Sequence, residues 1–268
     1  MTKAHTTRWE DILHVAQLAA MEAGDHALKQ FMRVHVLKEK PMTTDEVTSV
    51  DLENERRIIR ILRKNFPGHT ILSEERKLKD SRKGDVWWID PLDGSISYFF
   101  GLPFWSVTLC LIHGQEPRLG VIYFPQTRDM YWAFKGRGAF RNFRRISVSN
   151  VKTLEGGVIG IDYGYAKERE QGVKDVTLKL IDKVKYVVTY ACVSGSDVLV
   201  AEGKLTAHLH HMARRFDHAA GALLVKEAGG MVSDTEGRAI NWRATSPVHL
   251  VATNGRIHRE LLKILKTP

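Results

Sequence analysis

The 268-residue sequence is poor in cysteine and has no long apolar run. Its two cysteines, Cys110 and Cys192, lie among apolar residues, so buried free thiols are expected rather than a disulfide bridge. No apolar run approaches the roughly 20 residues of a membrane-spanning helix. The first residues, Met1 to His5, lack the apolar core of a signal peptide. Together these absences predict a protein of the reducing cytoplasm that does not enter a membrane.

Acidic residues are fewer than basic ones. The sequence has 31 Asp and Glu against 40 Lys and Arg, and its formal net charge is +9. A basic surface favours anionic partners, such as phosphorylated metabolites or nucleic acid. The densest basic run, Lys135 to Arg145, contains turn glycines and matches no nucleic-acid-binding motif. Most of these residues are therefore expected to be ordinary solvated surface.

Several signatures of phosphate and acyl chemistry are also missing. Neither cysteine has an arginine six positions later, so the Cys-x5-Arg phosphatase loop is absent. The sequence has no Gly-x-Ser-x-Gly nucleophile elbow and no Gly-Lys-Ser/Thr of a Walker loop. These absences exclude three common mechanisms and direct attention to the carboxylates.

Two carboxylates lie close together after a predicted buried strand. The apolar run Val86 to Ile89 is followed by Asp90-Pro91-Leu92-Asp93-Gly94-Ser95. Two such anions about 4 Å apart repel by about 4 kcal/mol at an effective dielectric near 20, and Mg²⁺ with its preference for oxygen ligands would offset this. Taken alone, the stretch fits a simple Pro/Asp/Gly turn equally well. Carboxylates elsewhere in the chain must decide between the two.

Three acidic motifs are separated along the chain, namely Ser73-Glu74-Glu75, Asp90-Pro91-Leu92-Asp93-Gly94-Ser95 and Asp217-His218-Ala219-Ala220-Gly221. They resemble the motifs of the inositol monophosphatase family of Mg²⁺-dependent, lithium-sensitive phosphatases. Their order and spacing match over nearly the whole chain. The resemblance implies a hydrolase of small phosphate monoesters, inositol 1-phosphate first of all. Fructose 1,6-bisphosphate, a 3′(2′),5′-bisphosphate nucleotide and NADP remain alternative substrates.

The resemblance also implies roles for individual residues. Two or three Mg²⁺ ions are expected, with ligands from Glu74, Asp90, the Leu92 carbonyl, Asp93 and Asp217. Glu74 and the Ser95 hydroxyl are expected to orient the attacking water, with Asp51 as the hydrogen-bond partner of Ser95. The expected substrate contacts are Gly94, Ser95, Gly195, Ser196, His210 and Arg214.

The sequence departs from the family at positions that bear on catalysis and substrate. Ser95 stands where the family usually has threonine, which keeps the hydroxyl. His210 stands where many members have a substrate-contacting glutamate. With His208 and His211 it forms a histidine cluster that is expected on the surface or lining a pocket, because no Cys or Glu completes a zinc site by spacing. Arg214 and its neighbour Arg215 are either solvated charges or ligands of a second phosphate.

The pattern of apolar residues predicts an α/β fold in one domain, residues 1–268. Two helices and an antiparallel meander occupy about 1–145, and strands alternate with helices over 146–268. The family resemblance implies a layered αβαβα sandwich and, by analogy, a homodimer. A function of a different class also fits the basic charge, namely binding of RNA or a transcription complex by the same scaffold.

Overall fold

The computed structural model of the protein describes residues 8–32, 49–73, 84–163, 166–243 and 246–266. The helices are α1 Trp9–Gln30, α2 Ser49–Asn65, α3 Ser95–Phe99, α4 Ala166–Gly172, α5 Leu178–Leu180, α6 Val193–Ala201, α7 Arg215–Glu227 and α8 His258–Lys266. A π-helical turn, Val173–Thr177, joins α4 to α5. The strands are β1 Thr70–Ser73, β2 Asp85–Asp93, β3 Ser106–His113, β4 Glu116–Phe124, β5 Asp129–Phe134, β6 Gly138–Arg141, β7 Arg144–Arg145, β8 Val158–Tyr163, β9 Tyr186–Val188, β10 Ala207–Ala213, β11 Met231–Asp234 and β12 Val248–Thr253.

Seven strands of the first half form one sheet in chain order, β1 to β7. β1 pairs parallel to β2, and the remaining neighbours pair antiparallel as a meander. Their connections are short, so consecutive strands become sheet neighbours. The register places Ser73 beside Ile89, and it shifts between Asp90 and Asp93, where β2 leaves its regular pairing with β3. This irregularity is the place where the two carboxylates leave the sheet.

Five strands of the second half form another sheet in the order β11-β12-β10-β8-β9. β8 lies parallel to both β10 and β9, and these connections pass through helices, as parallel pairing requires. β12 is antiparallel to β10 and β11. The register of β10 with β12 shifts after His210, near the end of β10. The second sheet therefore carries the histidine-rich strand at its centre.

Helices cover both faces of each sheet, which gives five layers. One cluster packs the alanine stripe of α1 and the Ile58 and Leu62 side chains of α2 on the outer face of the first sheet. A second cluster puts α6 and α7 between the sheets, where Leu224 and Val225 are buried. A third packs Leu180 and Leu261 on the outer face of the second sheet. The order α, β, α, β, α confirms the predicted layered fold.

The structure confirms most of the predicted elements and corrects one that matters for the site. The antiparallel meander lies in the first half and the alternating strands and helices lie in the second, as the apolar pattern predicts. The pair Gly195-Ser196 has the sequence pattern of a helix start, a flexible glycine before a capping serine, but the helix begins two residues earlier, at Val193, and its N-cap is Cys192. The glycine that suggested a helix start is instead a buried packing position inside the helix.

The middle cluster draws side chains from both halves of the sequence, among them Trp88 and Leu224. The division near residue 145 therefore separates two sheets that pack against the same middle cluster. That the chain forms a single domain stays a prediction. Among the described helices, none combines the length and the apolar character needed to cross a membrane.

Gly120 sets how closely α7 approaches the first sheet. A Cβ at this position in β4 would lie 2.8 Å from the carbonyl oxygen of Ala220 and 3.0 Å from its Cα. Because both atoms are backbone, α7 would have to move. We expect Gly120→Ala to lower the free energy of unfolding by about 1–3 kcal/mol, measured by urea denaturation. Gly68→Ala is the control, since nothing lies within 4 Å of its added Cβ. An equal loss in both variants would contradict the close contact.

Candidate active site

The end of β2 buries the closely spaced carboxylates. Asp90 and Asp93 are only 5% and 6% exposed. The N–H of Leu92 donates to Oδ1 of Asp90 at 3.0 Å, so the loop turns around this side chain. The Ser95 hydroxyl donates to the Leu92 carbonyl oxygen at 2.9 Å. The predicted ligand and substrate groups of this motif therefore lie in one tight turn.

Gly94 is required at this turn for two physical reasons. Its φ of 85° is left-handed, a conformation that residues with a Cβ rarely adopt. An added Cβ would also lie 3.1 Å from both the Cys192 Cβ and the Phe104 carbonyl oxygen. The chain then enters α3 at Ser95. Backbone N–H groups of Gly94 and Ser95 are thus presented at the start of this short helix.

Asp93 is held by the beginning of α6. Its Oδ1 accepts from the N–H of Val193 at 3.1 Å, and its Oδ2 accepts from the N–H of Ser194 at 2.7 Å. The Ser194 hydroxyl and the Cys192 thiol also donate to Oδ2. Burial raises the pKa of Asp93 above its ordinary value, and the hydrogen bonds from Ser194 and Cys192 oppose that rise. The side chain of an aspartate 100 residues away in sequence therefore accepts from the first N–H groups of α6, as the side chain of an N-cap residue commonly does.

Asp217 lies in the first turn of α7, and its two neighbours in sequence pack against β2 and α6. The preceding residue, Phe216, stacks on Trp88 of β2 with ring centroids 4.5 Å apart. The following residue, His218, is bonded to Asp197 of α6. The start of α7 is thus fixed against both β2, which carries Asp90 and Asp93, and α6, which binds Asp93.

Other predicted site residues are placed only in part. Glu74 lies outside the described residues, and Ser73 before it pairs with Ile89 in the first sheet. Asp51 is buried in the first turn of α2. Burial, followed by the charge of Asp51, raises the pKa of Tyr98, so Asp51 lies near that hydroxyl. The hydrogen bond between Asp51 and Ser95 stays a prediction.

The residues predicted to contact substrate from the second half are placed differently from one another. Gly195 and Ser196 are buried inside α6, and the Ser196 hydroxyl donates to Asp162 at 3.1 Å and to the Cys192 carbonyl at 3.1 Å. Their burial does not favour contact with a substrate. Arg214 is the half-buried N-cap residue of α7. Among the described residues, the Nε and Nη1 atoms of the next side chain, Arg215, have no hydrogen-bond partner.

Three histidines and two aspartates form a buried network between β8, β10, α6 and α7. His208 Nδ1 is 2.7 Å from Asp197 Oδ1, and its Nε2 is 3.0 Å from Asp162 Oδ2. His218 Nδ1 is 2.9 Å from Asp197 Oδ2, and His210 Nδ1 is 2.9 Å from His218 Nε2. We call these five residues the His–Asp network. Of the three histidines expected at the surface or lining a pocket, His210 and His211 do line a cavity, although each is only 7% exposed. The expectation is wrong for His208, because it is completely buried inside the network.

Charges of opposite sign lie next to each other inside the His–Asp network. Burial alone would lower the pKa of His208, but the hydrogen bonds that its ring donates to Asp162 and Asp197 raise it to about 9. Burial alone would raise the pKa of Asp197, but the charges of His218 and His208 lower it to about 2. Burial and the charge of His218 lower the pKa of His210 to about 3. At neutral pH the network thus contains a protonated His208 between two carboxylates and a neutral His210.

The His–Asp network also has the donor atoms of a metal site. One ligand atom each from Asp197, His208 and His218 lie within 4.8 Å of one another. The His208 and His218 nitrogens already form hydrogen bonds of 2.7 and 2.9 Å to the two Asp197 oxygens. These groups are therefore satisfied without an ion, and the network is better described as hydrogen-bonded.

Asp93 differs from the carboxylates of the network in the groups that surround its charge. All four donors to Asp93 are neutral, and among the described residues no Lys, Arg or His forms an ion pair with it. Oxygen donors are also the ligands that Mg²⁺ prefers, and the Leu92 carbonyl adds one. The residues present therefore fit a hard divalent cation, which would offset the buried negative charge.

Three members of the His–Asp network were missed by reasoning from sequence. Asp162 lies in an apolar strand, Asp197 in an apolar helix, and His218 directly follows Asp217. The available signal was that each is an ionisable residue in a segment whose other residues are mostly apolar. Their spacing along the sequence could not show that they lie together, because they come from three separate elements.

Comparison with known proteins shows one family. The model of the inositol monophosphatase family matches residues 8–267. A fructose-1,6-bisphosphatase/inositol-1-monophosphatase of Thermotoga maritima is 34% identical over 87% of each chain. A protein named Nus factor SuhB of Pasteurella multocida is 32% identical over 94% of each chain. The solved structure of a Thermotoga maritima IMPase superimposes with a TM-score of 0.85 at 29% identity, covering 95% of this chain and 96% of that one.

Protonated His208 makes stability depend on pH in a defined direction. The pKa of His208 is 6.5 as an ordinary side chain and about 9 in the folded protein. Its contribution to the free energy of unfolding is therefore complete below pH 6.5 and is lost as the pH rises through 9. We expect the free energy of unfolding to fall over this range by up to about 1.4 kcal/mol per pH unit. Urea denaturation of the wild type and His208→Gln measures it. A slope that persists unchanged in the variant would contradict this assignment.

Proposed function

The chain belongs to the inositol monophosphatase family and is a phosphoric monoester hydrolase, and from this premise we propose a cation-dependent attack of water on a small phosphate ester. The proposed cation is Mg²⁺, with two or three ions. Bound there, such ions would neutralise phosphoryl oxygens, lower the pKa of a coordinated water and stabilise the leaving oxygen. Lithium sensitivity is proposed from the family.

The proposal assigns each residue a task. Asp90, the Leu92 carbonyl, Asp93, Asp217 and Glu74 would hold the ions. N–H groups of Gly94 and Ser95 would bind phosphate oxygens at the start of α3. The Ser95 hydroxyl, with Glu74 and with Asp51 behind it, would orient the water. The Ser95 hydroxyl donates to the Leu92 carbonyl, so it would have to turn from that partner when the ions are bound.

One observation carries the proposal. Buried Asp93 has only neutral hydrogen-bond donors, while Asp90 lies three residues away in the same turn. Burying Asp93 in this setting is costly, because repulsion from the nearby Asp90 carboxylate adds to the cost of desolvation. A bound divalent cation would offset both the repulsion and the cost of desolvation. This supports a resident ion more strongly than a simple turn.

Inositol 1-phosphate is the proposed substrate, and a bisphosphate is the proposed alternative. The Thermotoga maritima relative carries both activities in its name. Nε and Nη1 of Arg215 lack hydrogen-bond partners among the described residues and could bind a second phosphate. His210 would contact the substrate as a neutral side chain, since its pKa is about 3. A cytoplasmic homodimer is proposed from the resemblance and the free cysteines.

Asp90→Asn tests the proposed function directly. The amide keeps the size of the side chain and removes the charge that would hold the cations. We expect Mg²⁺-dependent phosphate release from inositol 1-phosphate and from fructose 1,6-bisphosphate to fall about 1,000-fold or more, because several kcal/mol of charge stabilisation is lost. Phosphate release at a series of Mg²⁺ concentrations measures the effect.

The matched control lies on the same strand. Asp85→Asn removes a carboxylate at the other end of β2, where it contacts His113 and His69 rather than the candidate site. This variant should release phosphate like the wild type. Wild-type turnover by Asp90→Asn, or an equal loss in Asp85→Asn, would refute the assigned roles.

A second function is supported by a different observation. The formal charge of +9 and the Nus factor SuhB relatives favour binding of RNA or of a transcription complex. Such binding should weaken about 1,000-fold or more between roughly 50 and 200 mM salt if six or more phosphates are contacted. Fluorescence anisotropy with labelled RNA measures it, with Asp90→Asn showing whether binding needs the catalytic site. Absence of binding at the lower salt concentration would exclude direct RNA contact.

A further inference from the structure

Asp197 is a fully buried carboxylate at the centre of the His–Asp network. It accepts hydrogen bonds from His208 at 2.7 Å and from His218 at 2.9 Å, and both histidines are also completely buried. Burying such ionised groups costs desolvation energy that their mutual attraction only partly offsets. Apolar residues of similar volume would pack these positions at least as well. Packing alone therefore does not explain why the interior holds these groups.

α6 carries both Asp197 and the donors to Asp93. The N–H groups of Val193 and Ser194 bind Asp93, and Asp197 follows one helical turn later. Because a helix of nine residues moves as a rigid rod, a shift at Asp197 moves these N–H groups as well. The orientation of Asp93 thus depends on where Asp197 is anchored.

α7 is fixed to the same carboxylate. His218 donates to Asp197 and directly follows Asp217 in the first turn of α7. One turn later, a Cβ added at Gly221 would lie 2.4 Å from Oδ2 of Asp197, so the two helices touch at this side chain. The position of Asp217 therefore also depends on the contacts of Asp197.

The second sheet provides the fixed end of the network. His208 belongs to β10, and its other ring nitrogen is 3.0 Å from Asp162 of β8. Asp162 in turn accepts from the Ser196 hydroxyl of α6 at 3.1 Å and from the N–H of Ala191 at 3.3 Å. Two neighbouring strands thus hold α6 at two successive residues, Ser196 and Asp197.

We infer that Asp197 is a positioning residue for the divalent-cation site, which through His208 and His218 sets Asp93 and Asp217 at the spacing that one shared ion requires. The inference rests on the proposed function, since it concerns the same cation site. Asp93 and Asp217 are 124 positions apart in the chain and come from different elements, β2 and α7. The network is the described set of side-chain hydrogen bonds that joins α6 to α7 beneath them.

Asp197→Asn is the direct test. Asparagine keeps the size of aspartate but has an NH2 donor in place of one of the two oxygens, so it cannot accept from His208 and His218 at the positions that Oδ1 and Oδ2 occupy. We expect Mn²⁺ affinity, measured on the folded protein by electron paramagnetic resonance, to fall about 10- to 100-fold. The Mg²⁺ concentration for half-maximal phosphate release should rise by the same factor, while kcat at saturating Mg²⁺ changes little.

A buried histidine elsewhere separates positioning from general stability. His258 bonds Ser233 at 2.9 Å and Thr253 at 3.0 Å, with none of its partners in α6 or α7. His258→Asn should lower the melting temperature without changing Mn²⁺ affinity. If Asp197→Asn does not fold, His208→Gln serves in its place. Unchanged Mn²⁺ affinity in a folded network variant, or an equal loss in His258→Asn, overturns the inference.

The two claims fail differently. If the wild type binds Mn²⁺ and the network variants bind it weakly, but no tested ester is hydrolysed by the wild type, the proposed function falls and the positioning role stands. If the wild type hydrolyses phosphate esters and the network variants bind Mn²⁺ normally, the positioning role falls and the function stands.

Discussion

The arrangement of the middle of this molecule follows from one constraint, the burial of carboxylates whose charge must be balanced. Asp90 and Asp93 end a strand that is apolar on both faces, and the turn after them requires a left-handed glycine. Water does not solvate these groups as it would at the surface, so neighbouring groups must stabilise their negative charge. The beginning of α6 supplies the neighbours of Asp93, and this contact fixes a helix of the second half against a strand of the first.

The protein balances its buried aspartates in two different ways. Asp162 and Asp197 both face His208, whose pKa is raised to about 9, so a positive charge of the protein itself lies between them. Asp93 faces only neutral donors, and burial raises its pKa. The two arrangements meet on a single helix, α6. The first is complete within the protein, whereas the second is suited to a cation, which is why the candidate site lies at one and not at the other.

Local pattern predicted the elements well because the information is local. The meander from β3 to β6 has short turns and apolar strands, and the three acidic motifs are contiguous stretches, so both could be found without a structure. The resemblance then supplied the layered fold, and the family match over residues 8–267 confirms that family. The roles of Asp51, Glu74 and the substrate contacts stay predictions.

Long-range contacts account for what the sequence did not predict. The pair Gly195-Ser196 predicts a helix start, but α6 begins at Val193, where the N–H is bound by the side chain of Asp93, 100 residues earlier. The sequence predicts His208 at the surface or lining a pocket, because no Cys or Glu completes a zinc site by spacing, but His208 is completely buried and His210 lines a cavity while also joining the network. Their partners Asp162, Asp197 and His218 come from three other elements, and only folding brings them together.

The central claim is that separate acidic side chains hold divalent cations at the end of β2. Crystals grown with Mn²⁺ and measured at its absorption edge test this directly, because anomalous scattering locates the ion without reference to activity. The account predicts anomalous density in contact with Asp90, Asp93 and Asp217. Density confined to the His–Asp network, or its absence from the end of β2 at saturating Mn²⁺, would contradict the account.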